Sequence, residues 1–155
     1  MQNENVVAVG GTFDNFHLGH AQLLLKCFEV NKNVLIGVTS DALAKNKNHF
    51  IESCDKRKRN LFSFLFFHKL HDYAKIITLN DPYGPTIFNK NISVIIVSEE
   101  TLIRALEINN IRKGKRLSPL KIFVIPLVKD ADLRPMSSTK SRRDERFCEK
   151  FLMSN

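Results

Sequence analysis

Val6-Val7-Ala8-Val9-Gly10-Gly11-Thr12-Phe13-Asp14-Asn15-Phe16-His17-Leu18-Gly19-His20 decides how the rest of the chain is read. The first four residues are apolar without alternation, the pattern of a strand covered on both faces rather than one. Two glycines follow, and glycine lets backbone approach a phosphate closely. His17 and His20 stand three apart around an expected helix start, so both rings can enter one crevice. The helix start itself offers N–H groups and a positive dipole end to an anion. Imidazole donors beside those amides suit charge that builds on a phosphoryl group during transfer. The loop matches neither the P-loop pattern G-x-x-x-x-G-K-[ST] nor the dinucleotide pattern G-x-G-x-x-G, and both classes are set aside.

Beyond this stretch, apolar runs at 34–40, 75–79, 93–97 and 121–125 read as further buried strands. Helical spacing fills the gaps. Residues 21–30 carry Leu23, Leu24, Cys27 and Phe28; residues 55–70 carry Leu61, Phe62, Leu65 and Phe66. Residues 99–113 carry Leu102, Ala105, Leu106 and Ile108, with Gly114 placed to end the helix as its C′ residue. A last helix is expected at about 137–152, opening on a run of hydroxyls. Strand and crossover alternate about five times, which predicts an α/β fold, a doubly wound five-stranded parallel sheet with right-handed connections. Ligands in such sheets sit beyond the carboxyl ends of the strands, where strand order reverses.

The 155 residues fit one domain, 1–155, with a catalytic core at about 6–142. No basic leader precedes the first strand, and the longest apolar run, 61–67, is far short of the roughly 20 residues that span a bilayer. A cytoplasmic protein without membrane contact is expected. The three cysteines, Cys27, Cys54 and Cys148, form no C-x-x-C pair, so neither a disulfide framework nor a protein metal site is expected. A net charge of +8 suits a nucleic-acid binder and an enzyme of polyphosphate substrates equally well. The lysines and arginines are scattered, however, and most of the 12 phenylalanines lie in apolar stripes. No nucleic-acid partner is expected on that ground, and a monomer is favoured.

The string Gly10-Gly11-Thr12-Phe13-Asp14-x-x-His17-x-Gly19-His20 resembles the signature of the nucleotidyltransferase superfamily related to class I aminoacyl-tRNA synthetases. Three further strings are similar to one branch, the archaeal and eukaryotic pantetheine-phosphate adenylyltransferases. They are Asp81-Pro82-Tyr83-Gly84-Pro85-Thr86, Val97-Ser98-Glu99-Glu100-Thr101 and Met136-Ser137-Ser138-Thr139-Lys140. The similarity also takes in Thr39-Ser40-Asp41, Lys45, Lys47, Arg57 with Leu61, and Ile108-Asn109 with Arg112. Each string has a plain structural reading beside this one. Asp81 begins a good turn, Ser98 with two following acids is a good helix cap, and Ser137 through Thr139 serve as cap or phosphate cradle alike.

The resemblance implies a Rossmann-like, HUP-like nucleotidyltransferase domain that transfers AMP from ATP to 4′-phosphopantetheine, with Mg²⁺ accompanying ATP. It places Thr12 at the acceptor phosphate and Gly11, Phe13, His17, Gly19 and His20 at ATP, His20 being the donor to the reacting α-phosphate. It puts Lys45 or Lys47 on phosphate charge, and Arg57, Asp81, Ser98, Glu99, Glu100, Thr101 and Asn109 among the residues that bind the nucleotide. Met136, Ser137, Ser138 and Thr139 close over the triphosphate. The acceptor phosphate is already largely dianionic near neutrality, so no general base is required. The chain departs from the bacterial type, which carries arginines where Ser98 and Thr101 stand. Without a Walker A loop, a fused kinase activity is not expected. The rival readings are a nicotinamide mononucleotide adenylyltransferase or a cytidylyltransferase, and a non-catalytic nucleic-acid-binding module.

Overall fold

The computed structural model describes residues 5–45 and 49–126. Five strands, β1 (Val6–Gly11), β2 (Val34–Thr39), β3 (Ala74–Leu79), β4 (Ile92–Ser98) and β5 (Lys121–Ile125), form one sheet in the order β3-β2-β1-β4-β5. Every neighbouring pair is parallel. The chain steps outward from β1 through β2 to β3, then returns to lay β4 against the other side of β1. Strand order therefore reverses between β1 and β4, and the crevice at their carboxyl ends is the place for a ligand.

Helix α1 (Leu18–Val30) and helix α3 (Cys54–Phe67) cover one face of the sheet. Their Leu24, Cys27, Leu61 and Leu65 pack on Val7 and Val9 of β1, Val34, Ile36 and Val38 of β2, and Ile96 of β4. Helix α4 (Leu102–Gly114) covers the other face, setting Ala105 and Ile108 against Ala8, Ile95 and Val97. Alternate residues of β1 and β4 thus enter opposite cores, which is why those strands read as unbroken apolar runs. Each fully buried Leu or Ile contributes about 2 kcal/mol.

The edge strands differ from the sequence expectation. Lys75 and Thr78 in β3, and Lys121 and Val124 in β5, are exposed, because an edge strand lacks a second neighbour and lies at the margin of the helical layers. The helical stripes need correction too. Phe62 and Phe66 are 49% and 61% exposed, and Leu106 is 55% exposed. The face that α3 turns to the sheet leaves Phe62 and Phe66 on its solvent side. The buried line of α3 is Cys54, Arg57, Leu61, Phe64 and Leu65, and that of α4 is Ala105, Ile108 and Arg112. Gly114 is the last helical residue, not the residue that ends α4; the left-handed conformation falls on Arg116 (φ 60°). A single turn, α2 (Asp41–Ala44), follows β2 where no helix was expected. The expected helix at 137–152 lies outside the described residues.

Two arginines are more deeply buried than most of the apolar core, Arg57 at 0% and Arg112 at 1% exposure. Arg112 donates to the carbonyls of Ser118, Thr86 and Asn89 at 2.7, 2.7 and 3.1 Å. It stitches α4 to the connections that enter β4 and β5. Arg57 does the same on the other face, at the site.

Candidate active site

Helix α1 starts three residues earlier than periodicity suggested, and the pair of histidines starts it. His17 is the N-cap, in extended conformation (φ −137°, ψ 179°), a position usually held by Ser, Thr, Asp or Asn. Its Nδ1 accepts the Gly19 N–H at 3.1 Å, while His20 Nδ1 accepts the His17 N–H at 3.3 Å. This is a reciprocal capping box built from imidazoles. The rings stack with centroids 3.8 Å apart and planes 20° apart. They face the same way, as the sequence spacing implies. The phenyl rings of Phe13 and Phe16 wedge His20 from two sides, with centroids at 5.3 and 5.5 Å.

The cap also sets the chemistry of both rings. A nitrogen that accepts a hydrogen bond carries no proton, so in the neutral rings the proton resides on Nε2. Both imidazoles then present an N–H donor on the edge away from the helix backbone. Gly19 makes the stacking possible: a Cβ there would lie 2.9 Å from His17 Cε1. A Cβ on Gly10 would meet the Leu79 side chain at 3.5 Å, an ordinary contact. A Cβ on Gly11 would meet the Phe13 ring at 3.4 Å.

Between β1 and α1 the chain makes a tight double bend, with Phe13 and Asn15 at φ 54° and 44°. Residues from the β2–β3 connection hold it. Glu52 Oε1 accepts the Asn15 N–H at 2.8 Å, and Asp14 Oδ1 accepts the Glu52 N–H at 2.9 Å. Lys56 Nζ lies 2.8 Å from Glu52 Oε2, which balances one of these carboxylates. Arg57 Nη1 donates to the carbonyls of Thr12 (2.9 Å) and Thr39 (2.7 Å), so one guanidinium ties the ends of β1 and β2 together. Its Nε donates to the Glu52 carbonyl at 2.8 Å, and Nη2 reaches Asp41 Oδ1 at 3.3 Å.

The sequence-predicted residues divide accordingly. Gly11, Thr12, Phe13, His17, Gly19 and His20 share one loop at the carboxyl end of β1, and Ser98, Glu99, Glu100 and Thr101 sit at the end of the adjacent β4. Phe13 is 1% exposed, so its ring supports His20 from within. Arg57, read as a nucleotide-binding residue, is buried and braces the loop. Asn109, read as part of the nucleotide site, pairs its amide with both backbone groups of Leu120 at 3.0 and 2.7 Å. Asp81 Oδ1 accepts the N–H groups of Tyr83 and Gly84 at 2.9 and 2.8 Å, the turn that its local sequence also allowed. Ser98 and Thr101 cap each other, their hydroxyls 3.3 Å apart, with Glu99 and Glu100 exposed in a short 3-10 turn. Lys45 is exposed at the end of α2. Lys47, Met136, Ser137, Ser138 and Thr139 lie outside the described residues. Glu52 was missed by sequence reasoning, because a residue paired across 37 and 38 positions leaves no local pattern.

Positions 8–144 match the family described as cytidylyltransferase-like. A phosphopantetheine adenylyltransferase of Methanothermobacter thermautotrophicus is 45% identical over 91% of this chain and 85% of its own length. Among solved structures, a protein of unknown function from Archaeoglobus fulgidus superposes with a TM-score of 0.71 at 28% identity, covering 79% of this chain and 98% of that one. A bifunctional NMN adenylyltransferase/ADP ribose pyrophosphatase from Francisella tularensis superposes with a TM-score of 0.60 at 17% identity, over 90% of this chain and 42% of that one. The last likeness speaks for the fold alone.

Proposed function

The chain belongs to the cytidylyltransferase-like family, and from that membership we propose that it is a phosphopantetheine adenylyltransferase, the activity carried in the name of its 45% identical archaeal relative. An oxygen of the 4′-phosphopantetheine phosphate attacks the α-phosphorus of ATP. The new P–O–P link forms as the bond to the β-phosphate breaks, giving dephospho-coenzyme A and pyrophosphate. No proton has to leave the nucleophile, so the protein's part is alignment and charge stabilisation.

The observation that carries this reading is the imidazole capping box. Both rings are held with Nδ1 on backbone N–H groups, and in that tautomer Nε2–H is the donor that charge on the α-phosphate requires. His20 is the donor to the α-phosphate and His17 its neighbour on the same nucleotide. Thr12 holds the acceptor phosphate, and Gly11 and Gly19 keep the loop low enough for the polyphosphate. Lys45 or Lys47 supplies positive charge, and Ser98 through Thr101 line the nucleotide. Met136, Ser137, Ser138 and Thr139 close over the triphosphate. Mg²⁺ arrives with ATP, held by phosphate oxygens and water. The setting is cytoplasmic, with small-molecule substrates and neither nucleic acid nor membrane as partner.

A pyrophosphate-release assay tests it with ATP or CTP against 4′-phosphopantetheine or nicotinamide mononucleotide. Turnover with ATP and 4′-phosphopantetheine is expected to exceed the other three pairings. A preference for nicotinamide mononucleotide or for CTP overturns the substrate assignment.

A further inference from the structure

The solvent side of α3 carries a line of side chains that the site does not use. Asp55, Arg59, Phe62 and Phe66 are exposed at spacings of four, three and four, and exposed Lys69 follows three later at the left-handed residue (φ 58°) that ends the helix. This is the period of a seam between two helices, not of a scattered solvated face. The seam starts on an acid with Arg59 next to it, is aromatic in the middle and ends basic. Phe62 and Phe66 are not loose: their rings lie 6.2 Å apart, and His71 stands 5.9 and 4.9 Å from them, making one cluster of three mutually tilted rings. Beside the cluster an open cleft of about 480 Å³ is lined by Lys58, Arg59, Phe62, Ser63 and Ile76.

We propose that this face of α3 is the contact between two copies of the chain, with the helices antiparallel across a two-fold axis at Phe62. The pattern is self-complementary, as an isologous contact requires. Asp55 and Lys69 are equally distant in sequence from Phe62, so the axis sets each acid against the other copy's lysine. Phe62 meets its own equivalent. Phe66 falls opposite Lys58 and Arg59, where the cleft accepts a phenyl ring between an apolar floor and two cations. The contact lies on the outer side of α3, beside edge strand β3, and leaves the crevice between β1 and β4 open. It replaces the monomer favoured on sequence grounds, and it stands whatever the chain's substrate.

Analytical ultracentrifugation of the whole chain is the test. A reversible dimer is expected with a dissociation constant on the order of micromolar, as for a small interface. Phe66→Asp should raise that constant about tenfold or more, as loss of a buried aromatic anchor does, while turnover and circular dichroism match wild type. Asp55→Lys and Lys69→Asp should each weaken the dimer, and the two together should restore it. A wild-type chain that stays monomeric up to roughly 100 µM overturns the proposal, as does a dimer indifferent to Phe66→Asp. A double reversal that restores nothing overturns the antiparallel pairing.

Discussion

Arg57 Nη1 donates to the backbone carbonyl of Thr12 over 2.9 Å, joining α3 to the loop between β1 and α1 across 45 residues of chain. The same guanidinium holds the Thr39 carbonyl and is fully buried. A carbonyl fixed in this way cannot drift, and the residues on either side of it carry the site. Replacement by lysine keeps the charge but loses the fork that reaches several acceptors at once. Arg57→Lys is expected to lower stability by about 2 kcal/mol and to reduce kcat more than it raises KM for ATP. Denaturant melts and steady-state kinetics measure both. A variant with wild-type kcat would show that the brace is irrelevant to catalysis.

His17 has two duties that substitution can separate. Asparagine is a good N-cap residue and can accept the Gly19 N–H, but it brings no Nε2–H. His17→Asn should therefore melt within a few degrees of wild type and still lose most of its turnover. His17→Ala should lose the cap as well, about 1 kcal/mol. His20→Ala is expected to lower turnover about a hundredfold or more while the chain stays folded. Wild-type turnover in folded His20→Ala would end its assignment as the phosphate donor.

Asn109 gives the opposite signature. Its amide imitates a strand neighbour for Leu120, so Asn109→Ala should lower stability by about 2 kcal/mol. KM for ATP should stay within about twofold, because no uniform binding interaction is removed. A large rise in KM at unchanged melting temperature would return Asn109 to the nucleotide site.

The Cys27 thiol is fully buried among apolar side chains of α1 and the sheet, and burial pushes it up to about 12 from an ordinary 9.0. A thiolate is the reactive form, so Cys27 should resist iodoacetamide in the native chain at pH 8 and react after unfolding, as peptide mass mapping reads out. The sign of the linkage follows. Between pH 9 and 12 the unfolded chain releases a proton that the native chain keeps, so this contribution to stability is complete below pH 9 and lost as pH rises. Cys27→Ala should flatten the alkaline fall in melting temperature.

Much of this molecule is written locally. Five apolar runs are long enough to be strands, two histidines at helical spacing follow the first, and the order of elements alone calls for a parallel sheet with its site beyond the carboxyl ends of the strands. Such features need only near neighbours in sequence, since strand burial and helix periodicity are properties of short windows. What tertiary structure decided is which donor meets which acceptor. Arg57 and Asn109 look like ligand contacts in one dimension and turn out to bind the backbone, because a buried polar group must be satisfied by whatever the fold brings within 3 Å. Glu52 carries no local sign at all, yet its backbone N–H meets Asp14 across 38 residues and shapes the loop. The choice between Leu61 and Phe62 for the core likewise waited on the angle at which α3 meets the sheet, a quantity no window of sequence contains.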